Sequence, residues 1–151
     1  MTGPGEESLS ARCGHAGCLL CGEDNPWSVG LRFRATDDGA VVAEFAGHPG
    51  LQGYEGLLHG GVIAALLDAA MTHCLFHHGV VGLTGELSVR YLHPVRCEAN
   101  LTVRAWIASP RSPHSRLRPD IPLAGLGAPR PAASFRAGGV AAQAPAAAGE
   151  G

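Results

Sequence analysis

One carboxylate lies inside an otherwise apolar stretch near the middle of the chain. Between Val62 and Met71 every residue except Asp68 is apolar, and such a stretch predicts a helix that is buried on all sides. A buried carboxylate is costly unless it is paired or hydrogen-bonded, so a chemical role is the commonest good reason for keeping one. In an apolar slot this carboxylate can activate a water molecule as a general base.

The predicted helix begins at the sequence His59-Gly60-Gly61. The first backbone N–H groups of a helix have no partner within the helix and lie at the positive end of its dipole. They can therefore receive a carbonyl oxygen that gains negative charge during a reaction, and glycine lets that oxygen approach closely. At about 100° per residue, Asp68 lies roughly half a turn away from His59. A two-fold dimer brings the two ends together more readily than one chain does, so we predict a site shared between two subunits.

Strands with alternating apolar residues flank this helix on both sides in the sequence. The turn signal Asp37-Asp38-Gly39 joins the first two strands into a hairpin. We expect His73, His77 and His78 to lie at a solvated helix end, which Gly79 closes. The order β-β-α-β-β predicts an α+β domain with antiparallel strands around one apolar helix. The predicted bounds are Val29–Ala35, Ala40–Ala46, Leu83–Tyr91 and Ala99–Ile107 for the strands and His59–Phe76 for the helix.

Composition narrows the class of protein. The chain has 151 residues, of which 46% are hydrophobic, and a formal net charge of −2, which fits one globular domain and shows no bias toward nucleic acid. The start of the sequence has no basic segment followed by an apolar one, and the apolar runs are short of the roughly 20 residues that a membrane span needs. The five cysteines are an odd number, which suits reduced thiols. We therefore predict a cytoplasmic protein without nucleic-acid or membrane partners.

The character of the sequence changes after Ala108. Seven of the eleven prolines fall in the last 43 residues, which show neither alternation nor a helical period. Such a segment is expected to be disordered or loosely attached. We therefore divide the chain into an N-terminal segment (1–24), a folded domain (25–108) and a low-complexity tail rich in Pro, Ala, Gly and Arg (109–151).

Cys13, His15, Cys18 and Cys21 near the N-terminus are residue types that bind zinc. Four such residues within nine positions lack the two separated pairs of a usual zinc finger. We therefore predict no metal site and no cofactor, and metal binding by Cys13, Cys18 and Cys21 stays an open alternative.

The run from Cys18 to Ala108 resembles the PaaI-type acyl-CoA thioesterases, which have the hotdog fold. The resemblance implies an antiparallel sheet wrapped around one long apolar helix, association as a homodimer or a dimer of dimers, and hydrolysis of an acyl-CoA substrate without a metal. The residues that carry it are Cys21-Gly22 with Asn25-Pro26, the Gly53-Tyr54 loop, His59-Gly60-Gly61 with its spacing to Asp68, and the strand Thr84–Tyr91 followed by Pro94.

The resemblance also implies roles for individual residues. Asp68 is the general base or nucleophile, the Gly60 N–H binds the thioester carbonyl, and Thr84 helps to position the water. We add His59 to the catalytic set, as an orienting residue more than as an acid or base. Substrate binding is assigned to Gly61, Gln52 and Gly85.

Other interpretations of these residues stay open. Gly53 stands where many members of the family have asparagine or glutamine, with Gln52 one residue before it, so this loop departs from the family's pattern. Asp68 can be a structural carboxylate that caps a neighbouring loop, and Thr84 can be an ordinary strand residue. For the whole protein, the alternative to hydrolysis is a non-catalytic hotdog module that binds acyl-CoA.

Members of the family continue after the strand ending near Ala108 with two more strands, which lie between the strands near 97–108 and 81–92. Proline lacks the N–H donor of a strand ladder, so we expect the tail to supply at most a short piece near Ala133–Arg136. The expected domain is therefore a hotdog fold lacking its last two strands. A change of reading frame near Ala108 explains such a tail, which makes a frameshifted, non-functional product a further alternative.

Overall fold

A computed structural model describes residues 14–109, 116–120, 133–137 and 140–142, with side chains for residues 14–107. Its central element is the helix α1 (Gly60–His77), of whose 18 residues ten are buried. Gly79, just beyond its end, has a positive φ of 74°, which glycine adopts readily. By length and composition alone α1 also qualifies as a membrane span, but 56% of it is buried inside this chain, as in the core helix of a globular protein.

Side chains of α1 and of the sheet form one hydrophobic core. Leu66, Leu67 and Met71 of the helix are buried together with Leu101 and Val103 of strand β5 (Asn100–Ser109). This packing explains why the sequence of α1 is so apolar. The remaining side of α1 carries a stripe at helical spacing that the chain covers only in part. This half-buried stripe consists of Ala65, Asp68 and Thr72.

The antiparallel sheet that packs on α1 begins with the predicted hairpin. Strand β1 (Arg34–Ala35) is shorter than predicted and pairs with β2 (Val41–Ala46), and Gly39 in the turn has a positive φ of 78°. β2 then pairs with β5. Within β2 the side chain of Glu44 is exposed and that of Phe45 is buried, which is the alternation of a strand with one face on the core.

The strand predicted over residues 83–91 is divided in two. β3 (Gly82–Thr84) and β4 (Leu87–Tyr91) are separated by Gly85 and Glu86. β3 pairs with β8 (Val140–Ala142), and β4 pairs with β7 (Ala133–Ala137). The pairs Thr84–Val140 and Leu87–Ala137 keep the same register, so both halves belong to one interrupted ladder.

The tail supplies three strands, of which the sequence predicts only the short piece near Ala133–Arg136. β6 (Arg116–Asp120) pairs with β5, β7 pairs with β4, and β6 lies beside β7. Both therefore lie between β5 and β4, where the resemblance places them, and the expectation of a hotdog fold without its last two strands is wrong. Strand pairing uses backbone groups, and only Pro119 of the seven tail prolines lies within one of these strands. The frameshift alternative stays a prediction, because it rests on the composition of the tail, which these strands do not change.

Residues that precede the sheet also reach the core. Cys21 and Leu31 are buried in the same cluster as α1. Asn25 holds the turn between them, because its Oδ1 accepts a hydrogen bond from the Trp27 N–H at 2.9 Å and its Nδ2 donates to the Gly17 carbonyl at 3.0 Å. The Asn-Pro pair of the resemblance thus has a structural role in this chain.

The burial of His73 differs from the prediction. His77 and His78 are exposed as predicted, but His73 is only 7% exposed. Its ring stacks on Phe33 with 4.3 Å between centroids, and its Nε2 has no hydrogen-bond partner within the described part of the chain. Burial, with a smaller effect of nearby His15, lowers the pKa of His73 to about 4, so the ring is neutral at pH 7. Helical spacing does not reveal this because Phe33 and His15 come from other parts of the sequence.

If β7 completes the sheet, removing a backbone donor from its centre destabilises the whole domain. Phe135, opposite Val89, is the middle residue of β7. We predict that Phe135→Pro lowers the free energy of unfolding by at least about 1 kcal/mol, because a ladder hydrogen bond is lost from a strand with neighbours on both sides. Urea denaturation measures this effect, and Ala147→Pro, outside the described strands, is the control. Equal stability of both variants and the parent would show that β7 is not part of the sheet.

Candidate active site

His59 caps the N-terminus of α1. Its backbone is extended, with φ −62° and ψ 132°, and its Nδ1 accepts a hydrogen bond from the Gly61 N–H at 2.9 Å. The ring packs closely on Gly53, where an added Cβ would lie 3.2 Å from the His59 Cδ2 atom. These contacts are typical of a residue that orients a helix start. Because the Gly61 N–H donates to His59, it is already paired within the chain, although Gly61 was predicted to bind substrate.

The Gly60 N–H is a helix donor that stays available. None of the hydrogen bonds between described residues uses it, as expected of the first turn of a helix. Gly60 borders a cavity of about 530 Å³, whose walls include Leu58, Ile63 and Tyr91. A cavity of this size suits a small-molecule ligand. An N–H group at the positive end of a helix can bind a carbonyl oxygen there.

Tyr91 holds the same end of the helix, and the sequence does not predict this contact. Its hydroxyl donates a hydrogen bond to the Gly60 carbonyl at 2.8 Å. The alternation of apolar residues identifies Tyr91 only as a strand residue. The signal that was available is the hydroxyl itself, because a tyrosine that packs its ring usually finds a polar partner for its oxygen.

Asp68 and Thr84 lie together, as the resemblance implies. The Thr84 Oγ1 donates a hydrogen bond to the Asp68 Oδ1 at 2.5 Å, a length typical of a hydroxyl bound to a carboxylate. Asp68 is half-buried and Thr84 is exposed. Within the described part of the chain Thr84 is the only hydrogen-bond partner of this carboxylate. The second oxygen, Oδ2, can therefore accept a hydrogen bond from water.

The interruption between β3 and β4 lets one strand contact the helix at two places. Thr84 and Tyr91 both bind α1, through Asp68 and the Gly60 carbonyl respectively. In an uninterrupted strand, side chains seven residues apart point to opposite faces. The bend at Gly85 changes the direction of the chain, so that Thr84 also faces the helix. A glycine inside a strand pattern is a signal for such an interruption.

A single chain does not bring all the predicted site residues together. Gly60 and Asp68 lie eight residues apart on one helix, which is about 12 Å along its axis. Asp68 borders a second, smaller cavity that does not include Gly60. Gln52 is turned to its own loop, where its Oε1 accepts a hydrogen bond from the Gly56 N–H at 3.1 Å. Gly85 lies exposed at the strand interruption.

The middle of the chain is similar to known thioesterase sequences. Residues 55–109 match the family model of the thioesterase superfamily. The acyl-coenzyme A thioesterase THEM4 of Bos taurus is 38% identical over 63 residues, which are 42% of this chain and 25% of that protein. The same enzyme of Rattus norvegicus is 38% identical over 55 residues, or 36% of this chain and 24% of the relative. The match thus spans about a quarter of the length of these curated relatives.

The fold of the chain is similar to that of several solved structures. A thioesterase superfamily protein superposes with a TM-score of 0.69 at 27% identity, over 77% of this chain and 58% of that chain. The E. coli PaaI protein from the phenylacetic acid degradation operon gives 0.64 at 18% identity, over 86% and 93%. The chain has the hotdog fold of these structures. Zebrafish thioesterase superfamily member 2 shares this hotdog fold, with a TM-score of 0.67 at 18% identity over 89% and 99% of the two chains.

Helix α1 depends on the cap that His59 provides. Asparagine retains a side-chain acceptor at this position and alanine does not. We predict that His59→Ala lowers the free energy of unfolding by about 1 kcal/mol, and that His59→Asn changes it by only a few tenths of that. Chemical denaturation of the two variants and the parent measures the difference. An equal loss in both variants would mean that the acceptor contributes nothing.

Proposed function

We propose that the chain hydrolyses acyl-CoA thioesters to a free acid and CoA, in a site shared by two subunits. The observation that carries the proposal is the hydrogen bond between Thr84 and Asp68 on the half-buried stripe of α1. It orients the carboxylate and leaves one oxygen for water. The thioesterase superfamily match and the relatives named acyl-coenzyme A thioesterase support the reaction class and the substrate.

In the proposed reaction Asp68 is the general base. Its Oδ2 accepts a proton from a water molecule while the water oxygen bonds to the thioester carbonyl carbon. The carbonyl oxygen becomes negative and accepts a hydrogen bond from the N–H of Gly60 of the partner subunit. The intermediate then collapses, the carbon–sulfur bond breaks, and the departing sulfur takes the proton from Asp68. The products are a carboxylic acid and the CoA thiol, and Asp68 is again a carboxylate.

Two features of the single chain support the proposed homodimer. In the part of the chain that the structure describes, β3 and β4 each pair on one side only. Their free edge carries exposed apolar side chains, with Leu83 63% and Tyr91 51% exposed. An open strand edge with apolar side chains is typical of a protein contact. A two-fold partner that covers this edge and the half-buried stripe supplies the second half of each site, in a dimer or a dimer of dimers.

The cavity at Gly60 is the proposed entrance for the thioester. Leu57, Leu58 and Ile63 give it an apolar wall, and Tyr91 holds the helix end that borders it. An acyl chain or the pantetheine arm of CoA can bury apolar surface there. The thioester carbonyl then lies near the Gly60 N–H, and the water comes from the Asp68 side of the partner.

The general base is tested by removing the charge of Asp68 and keeping its shape. We predict that Asp68→Asn retains the fold and lowers kcat toward acyl-CoA by about 10²- to 10⁴-fold, the usual contribution of a general base. Release of the CoA thiol, followed with a thiol reagent, measures turnover. Thr84→Ser keeps the hydroxyl donor and most of the activity, whereas Thr84→Val loses both.

Near parental turnover of Asp68→Asn would remove this carboxylate from the mechanism. A parent chain that binds acyl-CoA and releases no thiol would favour the non-catalytic binding module instead. The screen therefore uses short, long and aromatic acyl groups, so that a narrow preference is not mistaken for inactivity.

The shared site is tested by complementation between two inactive variants. Gly60→Pro removes the N–H donor at the first helical position, where proline fits, and the extended backbone of His59 is compatible with a following proline. Gly60→Ala is the matched control, because it keeps the N–H and its Cβ would lie at an ordinary 3.4 Å from the Tyr91 ring. We predict a loss of about 10²- to 10³-fold for the proline variant alone.

Mixed dimers of Gly60→Pro and Asp68→Asn contain one intact site and one doubly defective site. Random mixing should therefore restore about a quarter of the parental activity, because about half of the dimers are mixed. Verified mixed dimers without any recovered activity would contradict a site built from both subunits.

A further inference from the structure

Three potential metal ligands meet in the segment before the first strand. One ligand atom from each of His15, Cys18 and Cys21 lies within 4.8 Å of the other two, and the Cys21 Sγ is 3.9 Å from the His15 Nδ1. In a tetrahedral zinc site, with ligands at 2.0–2.3 Å from the ion, neighbouring donor atoms lie about 3.5 Å apart. The three donors therefore need to approach one another by only about 1 Å to share an ion.

The backbone of this segment already holds the two cysteines in place. The Cys18 N–H donates to the His15 carbonyl at 3.0 Å, and the Gly22 N–H donates to the Cys18 carbonyl at 2.8 Å. The Leu20 N–H donates a hydrogen bond to the Cys18 Sγ at 3.4 Å. An added Cβ at Gly22 would lie 2.4 Å from the Cys18 nitrogen, so the loop closes this tightly only with glycine.

A fourth donor comes from the helix. His73 is 7% exposed, and its Nε2 is the one buried side-chain N or O atom without a partner in the described part of the chain. Its ring lies 6.4 Å from the ring of His15, centroid to centroid. A cavity of about 90 Å³ is lined by His73 together with His15, Cys18 and Cys21. His73 borders the cavity that also holds the two thiols, and a bound cation would give its unpartnered nitrogen a partner.

We propose that His15, Cys18, Cys21 and His73 bind one Zn²⁺ ion. Two cysteines and two histidines are a usual ligand set of tetrahedral structural zinc. The ion ties the segment before the sheet to α1, and the proposal replaces our prediction that the chain has no metal site. That prediction considered only ligands close in sequence, whereas His73 is brought to the cluster by the fold.

The position of the ion connects it with the candidate active site. Asp68 lines the same cavity as the cluster, less than two turns before His73 on α1. The four donors complete the coordination of zinc without Asp68. The ion therefore has a structural role, in which it holds the wall beside Asp68, and hydrolysis does not pass through it.

The test uses the reduced chain of 151 residues and Zn²⁺ alone. We expect one Zn²⁺ per chain in competition with a chromophoric chelator, and a Co²⁺ complex whose absorption shows thiolate ligands and tetrahedral geometry. The double variant Cys18→Ser/Cys21→Ser should bind at least about 100-fold more weakly, since changes around the ligands alone cost 10- to 100-fold. His73→Gln should lose at least about tenfold. Cys97→Ser, which removes a buried thiol outside the cluster, should bind like the parent.

The result on the parent chain does not depend on whether a variant folds. A reduced parent that takes up no Zn²⁺, or a Co²⁺ complex without thiolate ligands, would overturn the proposal. So would a double variant of parental affinity, or a Cys18–Cys21 disulfide found by mass spectrometry in a protein that binds no zinc after reduction. Parental affinity of folded His73→Gln would remove the helix from the site and overturn the four-ligand proposal.

Discussion

Helix α1 is apolar around its whole circumference, and every side of it must therefore be covered by another part of the protein. The sheet covers one side, where Leu66 and Met71 pack with Leu101 and Val103. The segment before the sheet covers another, where His15 lies next to His73. The remaining side is the half-buried stripe, and the single carboxylate of the helix lies on it. The requirement to cover an apolar helix thus places Asp68 on the one side that a second subunit can complete.

The sheet serves the helix in a second way, because its edge strand supplies contacts at both ends of the candidate site. Tyr91 holds the carbonyl of Gly60, and Thr84 holds the carboxylate of Asp68. One regular strand does not present both side chains to the same helix, so the bend at Gly85 is needed. The sheet keeps its register across that bend, as the pairs Thr84–Val140 and Leu87–Ala137 show. The site therefore depends on a local irregularity in a ladder that is otherwise regular.

The sequence predicts those elements whose apolar residues recur at the spacing of their buried face. The hairpin with its turn at Gly39, the helix α1 and strand β5 all have such patterns, and the structure confirms them. The pairing of Thr84 with Asp68 follows from the resemblance and not from any pattern. The burial of His73 is not visible in the sequence of the helix, because it depends on Phe33, a residue of another element. Apart from the piece near Ala133–Arg136, the strands of the tail are not visible either, because partner backbones select them and side-chain alternation does not.

The ladder between residues 82–91 and 133–142 has a consequence for the order in which the chain folds. The core of α1, β2 and β5 is made by residues that precede the tail, so it can form while the tail is still unfolded. The strand that carries Thr84 gains its partner only when residues of the tail are in place, because β3 pairs with β8. β3 has three residues and a partner on one side, so its amide hydrogens exchange with solvent sooner than those of β5. The carboxylate of Asp68 is thus oriented by one of the last and least protected pieces of the fold.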